Sequence, residues 1–175
     1  MRPPAFLLLA AALATLAVSG CGYHTLDAAT HLPPGVKTLA IPVFANDTVY
    51  NGTATAMTEA VIREFLASTS FRVVPEASAD ADAVLHGTIL KETIAPLTYN
   101  TSTQQSSSFL ITMVVSVTLQ NRSGKILYQN KDFVYRQQYQ STTVLPTFIS
   151  EDPAAIQRLS GDFARQLVAD VLEGF

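Results

Sequence analysis

Apolar residues recur along this chain in two rhythms, every second position in some stretches and every third or fourth in others. The first rhythm predicts strands and the second helices. The clearest stretch runs from Phe109 to Gln120, where Phe109, Ile111, Met113, Val115, Val117 and Leu119 alternate with Leu110, Thr112, Val114, Ser116, Thr118 and Gln120. One face is purely apolar and the other mostly hydroxylated, as in an antiparallel strand covered on one side. Asn121-Arg122-Ser123-Gly124 makes a turn, and Ile126–Tyr139 returns as the partner strand. Its parity changes between Ile126/Tyr128 and Phe133/Tyr135, which predicts a bulge. Upstream, Val36–Phe44 predicts a strand with Leu39, Ile41 and Val43 on one parity, and Pro42 puts it at an edge or near its end. Phe71–Val74 is a short β-like piece closed by Pro75. Ala83–Ile94 follows as a longer strand with Leu85, Gly87 and Ile89 on one parity, Gly87 admitting a close neighbour or marking a bulge.

Two stretches have helical spacing. Met57, Val61 and Phe65, with Ala54 and Ile62 beside them, predict a helix over Thr53–Ala67 whose outer face carries Glu59, Arg63 and Glu64. Ile156, Leu159, Phe163, Leu167 and Val171 form the stripe of a final helix, opened by Asp152 as N-cap and Pro153 at its first position. Gly161 weakens that helix by about 1 kcal/mol relative to Ala and suggests close packing. The order β-α-β-β-β-α predicts an α+β fold, a two-layer sandwich of one four-stranded mixed sheet with two helices on one face. The β-α-β start should be a right-handed crossover. The polar stretch Pro96–Ser108 is either a mobile loop or the solvated tip of a long hairpin, and Gln140–Ser150 is a second polar loop.

The first residues follow neither rhythm. Arg2 precedes an apolar run from Ala5 to Val18, long enough for a signal peptide and short of a spanning helix. It ends at Val18-Ser19-Gly20-Cys21, and Cys21 is the one cysteine of the chain. Aliphatic, small, small, cysteine resembles the bacterial lipobox. The expectation is removal of residues 1–20, with an S-diacylglycerol and an N-acyl chain (palmitate, for example) on Cys21. Several acyl chains anchor stably where one holds only marginally. Residues 21–35 then form a lipidated tether and 36–175 the folded domain. The residue after Cys21 is Gly22 rather than Asp, the inner-membrane retention signal of enterobacterial lipoproteins. That favours the outer membrane, facing the periplasm.

Charge and chemistry exclude more than they select. Fourteen acidic residues against 11 Lys and Arg give a net charge of −3, with none of the basic bias of a nucleic-acid binder. No nucleophile elbow, zinc-protease helix, paired-cysteine motif or phosphate-cradling glycine loop occurs. His24 and His31 fall in the tether and His86 in a strand, without metal-ligand spacing. Asp80 and Asp82 read as solvated or capping carboxylates rather than an acid–base couple. No catalytic residue, metal or cofactor is assigned, and a binding or assembly module is expected instead of an enzyme.

The residues also carry a family resemblance. Cys21-Gly22-Tyr23-His24, then Leu32-Pro33-Pro34-Gly35-Val36-Lys37-Thr38-Leu39-Ala40-Ile41-Pro42-Val43-Phe44, then Asn46-x-Thr48 and Ala81-Asp82-Ala83-Val84-Leu85-His86-Gly87-Thr88-Ile89 resemble the LPS-assembly lipoprotein LptE family. The likeness covers essentially the whole mature chain. It implies an outer-membrane lipoprotein that plugs the large β-barrel LptD and supports delivery of lipopolysaccharide to the cell surface. In enterobacterial relatives basic loop residues are implicated in meeting lipopolysaccharide phosphates. Here neither Glu92–Asn121 nor Gln137–Gln157 contains Lys or Arg. No ligand residue is therefore carried over, and action mainly through the barrel partner is expected. The alternative keeps the anchor and changes the partner, to a peptidoglycan synthase or a secretion pore.

Overall fold

A computed structural model describes residues 32, 35–50, 52–76, 80–100, 105–140 and 153–173. The leader, Cys21, nearly all of the tether, Asp152 and residues 141–150 lie outside them. The elements run β1 (Thr38–Ala40), β2 (Ala45–Asn46), α1 (Thr53–Ser68), β3 (Arg72–Val74), β4 (Ala83–Asn100), β5 (Gln105–Asn121), β6 (Ile126–Gln140) and α2 (Pro153–Glu173). The fold is α+β, an open sheet with two helices.

The sheet has six strands rather than the four expected. Its order is β3-β1-β4-β5-β6, with β2 also paired to β4. Two effects add the extra strands. Pro42 lacks an N–H, so the expected Val36–Phe44 strand shortens to β1, and β2 forms just beyond its end, both parallel to β4. Arg72–Val74 pairs in parallel with β1, flanked by hydrogen bonds from Arg72 N to Lys37 O (2.9 Å) and from Ile41 N to Val74 O (2.9 Å). The interruption also changes which side chains face inward. Leu39 and Ile41 are fully buried, but Val43 is 64% exposed and Phe44 takes the inward place. There Phe44 N donates to Thr58 Oγ1 (3.0 Å), which itself donates to Ala54 O (2.7 Å).

Gly87 makes that packing possible. A Cβ added to it would stand 2.6 Å from the Phe44 ring, so of the two roles offered by the sequence, close approach is the one realised.

β4, β5 and β6 form an antiparallel meander. The polar stretch near residue 100 is the tip of a long hairpin: Pro96 pairs with Phe109, Thr98 with Ser108 and Asn100 with Gln105. Each partner strand supplies the ladder bonds, so Thr and Ser pair there without an apolar face of their own. The bulge expected in β6 lies where the register shifts between Val115 and Val117, with Phe133 opposite the first and Asn130 opposite the second. A second shift beside Leu119 leaves Ile126 50% exposed, off the core face where the parity had placed it.

The helical stripes are buried as expected. Met57, Val61 and Phe65 of α1, and Leu159, Phe163, Leu167 and Val171 of α2, join one cluster with Leu85, Ile89, Ile111, Met113, Val115 and Tyr135. Each such side chain fully removed from water contributes about 1.5–3 kcal/mol. α2 tracks β6 in the opposite direction. Arg158 meets Tyr139, Phe163 sits edge-on to Phe133 and Tyr135, and Asp170 accepts from the Tyr128 hydroxyl.

Candidate functional site

Alternation along β4–β5–β6 divides the sheet into two unlike faces. On β5 every odd residue from Phe109 to Leu119 is buried, whereas Leu110, Thr112, Val114, Ser116, Thr118 and Gln120 stay partly accessible. The accessible face continues onto β4 through Val84, His86 and Thr88 and onto β6 through Gln129, Val134, Arg136 and Gln138. Its hydroxyls and amides bond along the surface, Gln138 Nε2 to Ser108 Oγ (2.8 Å) and Gln129 Nε2 to Thr118 Oγ1 (3.4 Å). No described helix side chain bonds to this face. It is a broad, mainly uncharged surface of hydrogen-bonding groups crossed by Val114 and Val134.

Two cations stand on it. The register of β4 shifts between Ile89 and Lys91, which turns Lys91 to the open face opposite Val114, itself opposite Val134. One row further, Thr93 lies opposite Thr112 and Thr112 opposite Arg136. Lys91 and Arg136 thus flank β5 in neighbouring rows, and neither forms an ion pair among the described residues. Both fall outside the polar loops, each one residue beyond the stretches free of Lys and Arg, and the sequence alone assigns them no role. A signal was present: Ile89 and Ile94 have opposite parity, so both can face the core only across a bulge.

The same shift turns Glu92 towards the apolar face. Its two carboxylate oxygens are buried with no hydrogen-bond partner, and burial alone pushes its pKa up to about 7. Tyr128 and Tyr135 are also raised above the usual phenol value, chiefly by burial.

At the opposite end of the sheet the domain's first residues are fastened by Asp82. Its Oδ2 accepts from Thr38 N (2.9 Å) and Lys37 N (3.0 Å), and Arg122 Nη2 lies 3.5 Å from Oδ1. Those backbone donors, aided by Arg122, hold the carboxyl below its ordinary pKa. Gly35, Val36, Asp82, Asn121, Arg122 and Ser123 line a shallow cleft of about 330 Å³ there. Asp82 acts as a cap, as read from the sequence, and Asp80 is exposed beside it. His86 is exposed on the open face. Cys21, the one assigned attachment site, lies outside the described residues, as do His24 and His31. Among the described residues no His, Cys, Asp and Glu converge as metal ligands, and no helix is long and apolar enough to cross a membrane.

Comparison with known proteins adds a family and a fold. A family model described as LptE, lipopolysaccharide-assembly, matches residues 36–171. No curated protein matches the sequence significantly. Among solved structures, lipoprotein B from Nitrosomonas europaea is 12% identical, covers 87% of this chain and 89% of its own, and superposes with a TM-score of 0.52. Protein XCC0632 from Xanthomonas campestris is 12% identical over 80% of this chain and 88% of its own, with a TM-score of 0.53. Protein CT253 from Chlamydia trachomatis is 14% identical over 79% of this chain and 97% of its own, with a TM-score of 0.51. At such identities the likeness is one of fold.

Proposed function

This chain belongs to the LptE lipopolysaccharide-assembly family, and from that premise we propose that it is the lipid-anchored partner and plug of an LptD-like outer-membrane β-barrel. Family membership supports a role in lipopolysaccharide assembly in general, and the match over residues 36–171 is the observation that carries the reading. The open sheet face supports the finer part. A large outer-membrane barrel presents a polar lumen, and a surface of Thr, Ser, Gln and His can exchange hydrogen bonds with it. In this reading the domain is a two-layer sandwich whose helices cover the apolar face and leave the hydroxylated face for the barrel. Cys21 carries the acyl chains, and the tether, about 50 Å if fully extended, lets the domain sit away from the bilayer.

The test is recovery from outer membranes. The full chain should bring down an LptD-like barrel, and Cys21→Ser should abolish acyl labelling and membrane attachment. A synthase or a ring of identical chains in place of the barrel would support the alternative partner instead.

Lys91 and Arg136 favour a second reading, direct contact between the open face and an anionic lipid headgroup. Replacing both with Ala should then weaken lipopolysaccharide binding by the purified chain. Unchanged binding would leave the barrel as the sole route of action.

A further inference from the structure

Among the core-facing residues of β4 (Ala83, Leu85, Gly87, Ile89, Glu92, Ile94 and Pro96), Glu92 alone can carry a charge. Its cross-strand neighbours are Met113 and then Tyr135, both fully buried. The Tyr135 hydroxyl bonds to Gln137 Oε1 (3.4 Å), not to Glu92. The charged groups of α2 nearest this row are otherwise engaged. Asp162 and Arg165 pair with each other, and Arg158 bonds to the Tyr139 hydroxyl. Among the described residues no hydrogen bond or ion pair reaches the Glu92 carboxylate, and burial is what raises its pKa. The adjacent cations Lys91 and Arg136 stand on the opposite, open face of the sheet, and residues 92–121 and 137–157 contain no Lys or Arg. The last bond that the β2 side makes to β4 is Asp47 N to Ile89 O (2.9 Å). Past it, no described strand lies along that edge of β4.

A desolvated carboxyl without a partner burdens the free fold, and the burden becomes an asset when a cation arrives to pair with it. We propose that the Glu92 carboxylate is a receptor for a basic side chain, a lysine or arginine of the partner protein, that enters along the edge of β4 beyond β2. The proposal rests on the barrel reading above for the partner's identity. It makes Glu92 a contact residue whose charge is a cost in the free fold and an asset in the complex.

The experiment compares the full lipidated wild-type chain with Glu92→Gln, each recovered from outer membranes, alongside thermal unfolding of both purified chains at pH 8. The amide keeps the shape and loses the charge, leaving the partner's cation buried and unpaired. Expected are a loss of at least about tenfold in recovered barrel and an unfolding temperature for Glu92→Gln at or above that of the wild type. Equal barrel recovery by the two chains overturns the receptor while leaving the barrel reading intact. A loss of barrel together with a lower unfolding temperature also overturns it, because the substitution would then act through the fold. If the wild type recovers no barrel, both readings fall.

Discussion

The two ends of the sheet are built differently. At the end where the domain begins, β3, β1, β4, β5 and β6 lie side by side, and Asp82 staples the start of β1 to the turn after β5. At the far end only β4, β5 and β6 continue, and the ten residues from Lys91 to Asn100 carry the ladder roughly 30 Å past the last β2 bond. On β4 the core-facing residues at the near end (Ala83, Leu85, Ile89) are fully buried, whereas Glu92 and Ile94 at the far end are only partly so, although their β5 partners Met113 and Ile111 are buried. In the β4–β5 ladder the register shifts gather beyond Ile89, at Ile89/Lys91, Pro96/Thr98 and Thr98/Asn100, whereas those between β5 and β6 lie at the near end. The near end of β4 is thus a conventional core, and its far end an extension whose outer edge no described strand pairs and which carries a buried carboxyl without a hydrogen-bond partner. Such an extension is a liability in a free protein and useful in one that docks.

Truncation at each end should expose this contrast most strongly. Leu85→Ala opens a cavity in the packed end and should cost about 2–5 kcal/mol in urea unfolding of the purified chain. Ile94→Ala, at a partly accessible position, should cost less than half as much. Equal losses would mean that the far end is packed as tightly as the near one. Gly87→Ala comes next. Its added methyl meets the buried Phe44 ring, and overpacking of this kind costs about 1–3 kcal/mol. Phe44→Leu should recover part of that loss in the double mutant, since the clash is with the ring itself.

How much of this was legible in the sequence follows the same division. The β5 alternation, both helical stripes and the β6 bulge could be read because each involves many side chains repeating one choice of face. β2 could not, because a strand of two residues has no period and exists only through its pairing with β4; Phe71–Val74 did read as a short β-like piece, but its place in the sheet as β3 exists only through pairing with β1. The hairpin beyond Ile94 was left open between loop and strand because its residues are polar on both faces and are held by the ladder. Lys91, Glu92 and Arg136 were missed for a related reason. Their faces depend on the bulge at Leu90 and on cross-strand register, which no single stretch records apart from the parity clash of Ile89 and Ile94.

The carboxyl at the far end should also set a pH dependence. A folded-state pKa of about 7 against an ordinary 4.5 means the folded chain holds the proton more tightly than the unfolded one. Stability from this group is fully present below pH 4.5 and is lost as pH rises through 7. The loss should be roughly 1–2 kcal/mol once screening at a partly accessible site is allowed for. Glu92→Gln should flatten that stretch of the stability–pH curve. An unchanged slope between pH 5 and 8 would show that the carboxyl already has access to water.

The smallest effect contrasts two glycines. Gly87 is needed for the Phe44 ring, and its substitution is penalised at a packed position. Gly161 was expected to serve the same purpose in α2, but a Cβ built there meets only Arg165 Nη1, at 3.9 Å. That is ordinary contact with the end of a flexible side chain, so the helix carries the entropic weakness of glycine without a packing return. Gly161→Ala should therefore raise stability by about 0.4–1 kcal/mol, through a less flexible unfolded chain and a better helix former. The gain should appear as a small rise in unfolding temperature with unchanged barrel recovery. A fall in temperature would mean that α2 approaches a neighbour more closely than these contacts indicate. A rise in temperature with lost recovery would mean that the end of α2 near Tyr139 must flex in order to dock. In that case the looseness of the far end belongs to its function rather than to incomplete packing.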